Sequence, residues 1–294
     1  MRWPWVNAAS IEISSRDRVK TDKRDALKIA TQLSARRLKG IRVPDEIQEE
    51  MRTVTRLRAQ VMKLRIKTGN QLKSLLHTRG LIDIDDDRAI SEKWIKEKLK
   101  EIKKEKYSED FIFTIEQYQE QWVQLNNRIK VIRKRMSIQA QKDCGLQVIY
   151  KSLPGIGEIH SRELINELGD MKQFKSAKQF FSFTGLTPCE YSSGENKRQG
   201  NISRQGNPML RKILIEGAWT AIKKDGELQE IFNRIAHHRG KKRAIVAVAR
   251  NMAGRLRACV ITGSMYNKRE IKEKDLHKNA QNGLHDLAAH AVTT

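Results

Sequence analysis

The feature that most constrains this chain is an apolar seam near its middle. Phe111, Ile115, Tyr118, Trp122, Leu125, Ile129, Ile132 and Met136 follow one another at steps of 4, 3, 4, 3, 4, 3 and 4 residues. That is a heptad repeat, and an α-helix is the conformation that gathers such positions onto one stripe. An apolar stripe of this length must be covered by another element. A matching helix is predicted over residues 46–79, where Ile47, Met51, Val54, Leu57, Val61, Leu64, Leu72 and Leu75 keep helical spacing and Gly80 stops the run. The acidic "DIDDD" that follows reads as a turn, and the Lys/Glu-rich stretch 91–106 as a solvated helix. Together these predict a long antiparallel coiled-coil hairpin over residues 45–145. Spacing alone leaves open whether the seam pairs within the chain or with another chain.

The flanks differ from this centre. Residues 1–44 are short and mixed, and within them "TDKRDALKIATQLSARRL" reads as a helix capped by Thr21 or Asp22, with Ala26, Leu27, Ile29, Ala30 and Leu33 as its apolar face. Residues 146–267 hold most of the Gly and Pro, 12 of 17 and 3 of 5, and several shorter helical patterns, and residues 268–294 read as a flexible polar tail. Strand signals are almost absent, so the expected class is mainly α.

Charge narrows the partner. Lys and Arg number 58 against 35 Asp and Glu, a formal net charge of +23. Such an excess points to a polyanion, with nucleic acid ahead of an anionic membrane surface. No apolar run is long enough to span a bilayer, and "MRWPWVNAAS" lacks the apolar core of a secretory signal. Cys144, Cys189 and Cys259 are far apart and form no CxxC pair, which suits a reducing, cytoplasmic setting and argues against zinc.

Five places carry candidate chemistry. "LPGIGEIHSRELINEL" resembles a helix-hairpin-helix, in which Gly155 and Gly157 would expose backbone N–H groups to a phosphate; an ordinary tight turn is the alternative. "ENKRQGNISRQGN" places Lys197, Arg198 and Arg204 on a Gly-rich backbone able to approach phosphates closely, or simply forms a basic loop. "HHRGKKR", with Lys241, Lys242 and Arg243, reads as a patch for the nucleic-acid backbone that opens the last strong helix; paired His without a carboxylate is weak evidence for a metal. Ser192 and Ser193 taken alone are turn residues, with no His–Asp partner nearby. Asp22 and Asp25 fall on one helical face and could share a Mg²⁺, or serve as an N-cap and a first-turn acid.

Taken together, "DRVKTDKRDALKIA", the downstream "LPGIG", then GLTP, Tyr-x-Ser-Gly, the basic Gly-rich run and "GN..LR" ending on Arg211 resemble the DEDD-type transposases of the insertion sequence 110 family. The resemblance implies an RNase-H/RuvC-like α/β domain of which residues 1–44 are a C-terminal remnant, then the coiled coil, then a helical transposase domain with a helix-hairpin-helix. It implies a DNA recombinase that works through a phosphoserine intermediate, with Ser193 as nucleophile and Asp22 and Asp25 as the third and fourth of four Mg²⁺-binding acids. It also implies DNA as substrate, a structured guide RNA, a homo-oligomer (dimer or tetramer) with a composite active site, and Arg211 among the nucleic-acid-binding residues. The first two acids have no match here: 21 residues precede Asp22, and Glu12 is the one acid before Arg16. The expectation is therefore a chain lacking most of the RuvC-like domain. Its alternative function is a catalytically inactive DNA/RNA-binding remnant that oligomerises with full-length transposase.

Overall fold

The computed structural model describes residues 5–6, 11–13, 19, 21–38, 40–83, 85–105, 107–190 and 199–267. They divide into two compact units, Met1–Glu49 and Glu50–Thr294.

In the first unit, α1 (Asp22–Ser34) starts where Thr21 is extended and its hydroxyl accepts from the Arg24 N–H. Asp22 and Asp25 occupy the first turn, where carboxylates complement the helix dipole. The expected apolar face is not buried: Leu27 is 68% exposed, and α1 contributes no buried residue. Chain pairing among the described residues of this unit is limited to an antiparallel bridge between Val6 and Gly40, extended by an Ile41 N–H to Trp5 carbonyl bond of 2.7 Å.

The second unit is built on α2 (Glu46–Thr78), α3 (Glu92–Lys104) and α4 (Glu109–Lys142). α2 and α4 run antiparallel, since Thr68 meets Gln121, Arg65 meets Asn126, and Val61 packs with Leu125, Ile129 and Ile132. The heptad residues are buried in this chain, apart from Tyr118, which is half-buried. α3 departs from the solvated helix expected: Trp94, Ile95 and Ile102 are buried with Phe111 and Ile115 of α4 and Leu72 and Leu76 of α2. Its charges cover the outer face, while four apolar residues among thirteen, these three and the half-buried Leu99, suffice to seat the inner one. Ser91 and Ser108 cap α3 and α4 through their hydroxyls.

Beyond α4 come α5 (Cys144–Ser152), α6 (Glu158–Leu168), a 3-10 turn (Met171–Gln173), α7 (Ala177–Thr184), β1 (Pro188–Glu190), β2 (Gln199–Ile202), α8 (Pro208–Ala221), α9 (Gly226–Arg239) and α10 (Lys241–Thr262). The strands form an antiparallel pair, Pro188 opposite Ile202 and Glu190 opposite Gln199. α10 is central. Ala244, Ile245, Val248, Ala249, Met252, Ala253 and Leu256 are all buried, and their small and branched side chains let α8 and α9 pack closely against it.

Two contacts seat α6. Gly155 has φ +84°, and a Cβ there would overlap the Gly217 carbonyl of α8, so only glycine serves. The other is a buried polar joint with α2. Glu167, 1% exposed, receives Arg56 Nε at 3.0 Å and Asn207 Nδ2 at 2.8 Å, while Arg52 donates to the Glu167 carbonyl at 2.7 Å. Glu163 receives Arg58 at 2.6 Å. Arg162, almost fully buried, reaches Asp143 at 2.9 Å and Asn166 at 2.7 Å. Burial pushes the Glu163 carboxyl above the ordinary range despite the Arg58 guanidinium, and burial likewise raises the Tyr150 hydroxyl. Near the end of the described chain Tyr266 donates to the buried Asp225 at 2.6 Å; burial, then that bond, holds its hydroxyl up to about 12.

Candidate nucleic-acid interface

The hairpin is positioned at its base by backbone rather than by side chains. Gly185, φ +69°, ends α7 in the left-handed conformation, and Gly206 lies so close that a Cβ on it would overlap Gly185 N. Ser203 N–H donates to the Thr187 carbonyl, and Asn207 N–H to the Phe183 carbonyl, each at 2.8 Å. Asn207 then caps α8, its side-chain oxygen accepting from Met209 N at 2.9 Å and Leu210 N at 3.3 Å. The "GN..LR" pattern thus has a local explanation: a glycine for close approach, an asparagine cap and a core leucine at Leu210.

Against this hairpin, α9 and α10 enclose a groove of about 630 Å³. Its floor is apolar, with Leu186 and Pro188 near β1, Ile202 on β2, Ile235 on α9, and Val246 and Ala247 on α10. Its polar rim carries five cations: Arg204, Arg239, Lys242, Arg243 and Arg250. Arg243 and Arg250 lie seven residues apart on one face of α10, with Val246 and Ala247 between them. The Arg250 guanidinium sits 4.7 Å from the centre of the Phe181 ring, which steers it by cation–π attraction. Arg204 adopts φ +57°, a conformation costing a non-glycine residue roughly 1–2 kcal/mol. Among the described residues no carboxylate pairs with any of the five. Other arginines of α10 are spoken for: Arg255 holds Glu227 at 2.7 Å and Arg257 donates to the Phe174 carbonyl at 2.9 Å.

The structure brings Arg204, Lys242 and Arg243 together in one groove although some forty residues separate them in sequence. "HHRGKKR" does not open one helix as expected. It straddles two: His237, His238 and Arg239 end α9, Gly240 turns at φ +78°, and Lys241, Lys242 and Arg243 start α10 with no acid in its first turn. The glycine breaks the helix because only it takes that φ without strain. Lys241 is exposed and does not line the groove. Arg211 tucks its guanidinium against Gly185, and its Nη1 is buried without a hydrogen-bond partner among the described residues. Gly155 faces α8, whereas Gly157 opens α6 with free space around it, followed by Glu158, which lies 3.8 Å from Lys151. Ser192, Ser193, Lys197 and Arg198 lie outside the described residues. Arg239 lay within the HHRGKKR patch, but Arg250 and the apolar floor were not singled out from sequence; the seven-residue step from Arg243 to Arg250 was the available signal.

Asp22 stands exposed on α1 and Asp25 half-buried, 3.2 Å from Lys28 Nζ. No three His, Cys, Asp or Glu side chains gather as a metal site among the described residues. Mg²⁺ takes six oxygen ligands, commonly one or two carboxylates completed by waters and substrate phosphates, so these two carboxylates alone would supply only part of its set. No helix among the described residues is long and apolar enough to cross a membrane.

Comparison with known proteins places this geometry in context. Residues 148–233 match the family described as "Transposase IS116/IS110/IS902 family", and residues 5–79 match a second family model, DEDD_Tnp_IS110, described as a transposase. The transposase for insertion sequence element IS1111A of Coxiella burnetii is 26% identical over 250 residues, covering 80% of this chain and 65% of that protein. A "Probable family 20 transposase" of Pseudomonas aeruginosa is 26% identical over 204 residues, 69% of this chain and 60% of its own length. The transposase for insertion sequence element IS1328 of Yersinia enterocolitica is 27% identical over 174 residues, 59% of this chain and 50% of that protein. The chain thus spans 50–65% of the length of these three curated relatives.

Proposed function

This chain belongs to the IS116/IS110/IS902 family of transposases, and from that membership we propose that it binds and recombines the DNA of a mobile element. The observation that carries the reading is the uncompensated basic groove beside hairpin β1–β2. Five cations around an apolar floor, with no carboxylate among the described residues paired to them, make a site for an anion. The strands of the same hairpin bracket residues 191–198, where the Tyr-x-Ser-Gly motif lies.

In this reading Ser193, with Ser192 as its neighbour, supplies the nucleophile. Its oxygen bonds to the phosphorus of a phosphodiester, the bond from phosphorus to one bridging oxygen breaks, and the serine proton ends on that departing oxygen. The products are a phosphoserine ester and a strand-end hydroxyl. Rejoining is the reverse attack by a strand-end hydroxyl, which returns the proton to serine. Lys197, Arg198 and Arg204 offset the charge that builds on the phosphoryl oxygens. Lys242 and Arg243 hold the backbone, and the α6 N-terminus at Gly157 gives a second phosphate contact. Asp22 and Asp25 would contribute two oxygen ligands toward Mg²⁺; because they supply only part of its set, no step here depends on it.

The same proposal reads the first unit as part of a RuvC-like domain, α2 with α4 as a coiled-coil hairpin, and α5–α6 as a helix-hairpin-helix. A guide RNA and a homo-oligomer, dimer or tetramer, complete it. The test is a denaturing gel of the chain incubated with end-labelled element DNA. A protein–DNA adduct that disappears in Ser193→Ala, with DNA binding retained, supports the reading. An adduct that survives excludes Ser193 as nucleophile. Binding by the unaltered chain without any adduct leaves a nucleic-acid-binding module in place of a recombinase.

A further inference from the structure

We infer that the groove between hairpin β1–β2 and α10 is a receptor for one unpaired nucleotide, its base on the apolar floor and its phosphates on the cationic rim. This rests on the nucleic-acid reading above and specifies the form of nucleic acid that the groove takes. Three observations carry it. The volume, about 630 Å³, lies in the class that holds one small ligand, roughly 300–1,000 Å³, and a duplex cannot enter it. The lining is also divided. A surface that only follows a duplex backbone needs cations and polar groups. This one adds a floor formed by Leu186, Pro188, Ile202, Ile235 and Val246, which has no use for phosphate but suits the face of a base withdrawn from its stack. Finally, the cations are set around that floor from separate elements: Arg204 after β2, Arg239 at the end of α9, Arg243 and Arg250 on α10. Phe181 steers Arg250, and Arg204 is kept in a strained backbone conformation. Strain persists where the surroundings enforce it, and Arg204 is one of the residues that line the groove.

A nucleotide at a mismatch, bulge or strand end costs least to withdraw, so the groove favours DNA that is already locally unpaired. If Ser193 attacks as proposed, such a receptor would fix the register of the strand by holding one base while its phosphate reacts.

The test compares two duplexes of one length and sequence, one perfectly paired and one with a single-nucleotide bulge, titrated into the full chain by fluorescence anisotropy at fixed salt. The unaltered chain is expected to bind the bulged duplex about tenfold more tightly. Val246→Trp, which fills the floor without changing charge, is expected to bring that ratio to about one. The ratio is unaffected by a partly unfolded fraction, and Arg250→Gln serves as a second variant, expected to lower the ratio about threefold. Equal affinity of the unaltered chain for the two duplexes overturns the inference and leaves the basic groove as a backbone contact. A ratio unchanged in both variants overturns it also, because the preference then arises elsewhere. Absence of binding to either duplex would sink the broader nucleic-acid reading instead.

Discussion

Two groups of arginines in this molecule do opposite things. Arg52, Arg56 and Arg58 on α2 meet Glu163 and Glu167 on α6; both acids, Arg52 and Arg58 are largely buried, while Arg56 is half-exposed. Arg204, Arg239, Arg243 and Arg250 surround a groove and meet no carboxylate among the described residues. The residue type is the same, but in the first place the protein supplies the anion and in the second it leaves that role to a ligand. A net charge of +23 therefore overstates neither group. It counts paired charges, such as the joint's three arginines and two glutamates, together with unpaired ones such as the groove's, and the unpaired ones are available to nucleic acid.

The comparison can be broken most forcefully at the joint. Glu167→Ala leaves Arg56 and Asn207 without their acceptor and is expected to lower stability by about 3–5 kcal/mol, read from urea denaturation. A loss below about 1 kcal/mol would show the joint to be no more than a surface pair. Gly155→Ala strikes the opposite side of α6. Overlap with the Gly217 carbonyl, together with the positive φ, is expected to cost about 2–4 kcal/mol in the same measurement. The groove should respond in the reverse manner. Removing both Lys242 and Arg243 as alanines is expected to change stability by less than about 0.5 kcal/mol, yet weaken DNA binding about tenfold and lower the slope of log affinity against log salt by about 2. If stability fell and the slope stayed, the two regions would have exchanged roles.

The smallest expected effect concerns pH. Burial raises the Glu163 carboxyl in the folded state above its ordinary value, so the native protein holds that proton more tightly than the unfolded chain. Its contribution to stability is therefore greatest at low pH and declines as pH rises from the ordinary carboxylate range through the raised value. Relative to Glu163→Gln, which cannot titrate, the unaltered protein should lose stability across that window. Chemical denaturation of both proteins at a series of pH values checks it; parallel curves would mean that the Arg58 bond cancels the burial.

Much of the helical framework was legible because its signals are local. The seven-residue spacing from Phe111 to Met136 marks one helix whatever covers it, and Thr21, Ser91, Ser108 and Asn207 announce helix starts within three residues. What escaped depends on distant partners. Trp94, Ile95 and Ile102 looked like interruptions in a Lys/Glu-rich helix, because the surface that buries them belongs to α2 and α4. Glu163 looked like an ordinary surface acid, because Arg58 is 105 residues away. The groove was half visible: Arg204, Lys242 and Arg243 stood out as bases among glycines, but Arg250 sat in an apolar-looking helix and gained meaning only opposite the hairpin. The same limit applied to Gly155, recognisable as a turn glycine although its neighbour Gly217 is not recognisable as the reason for it.

The start of α10 has a further consequence. Three cations, Lys241, Lys242 and Arg243, crowd the end of the helix that already carries the positive pole of its dipole, and its first turn holds no acid to relieve them. Mutual repulsion there works against the helix on which the core of the second unit is assembled. A bound polyanion would remove that repulsion, so occupancy and folding are thermodynamically linked, and the apparent melting temperature becomes a reporter of ligand concentration. The free protein is in this sense incompletely relaxed, and short oligonucleotides should raise its thermal midpoint in proportion to the logarithm of their concentration once they exceed their Kd.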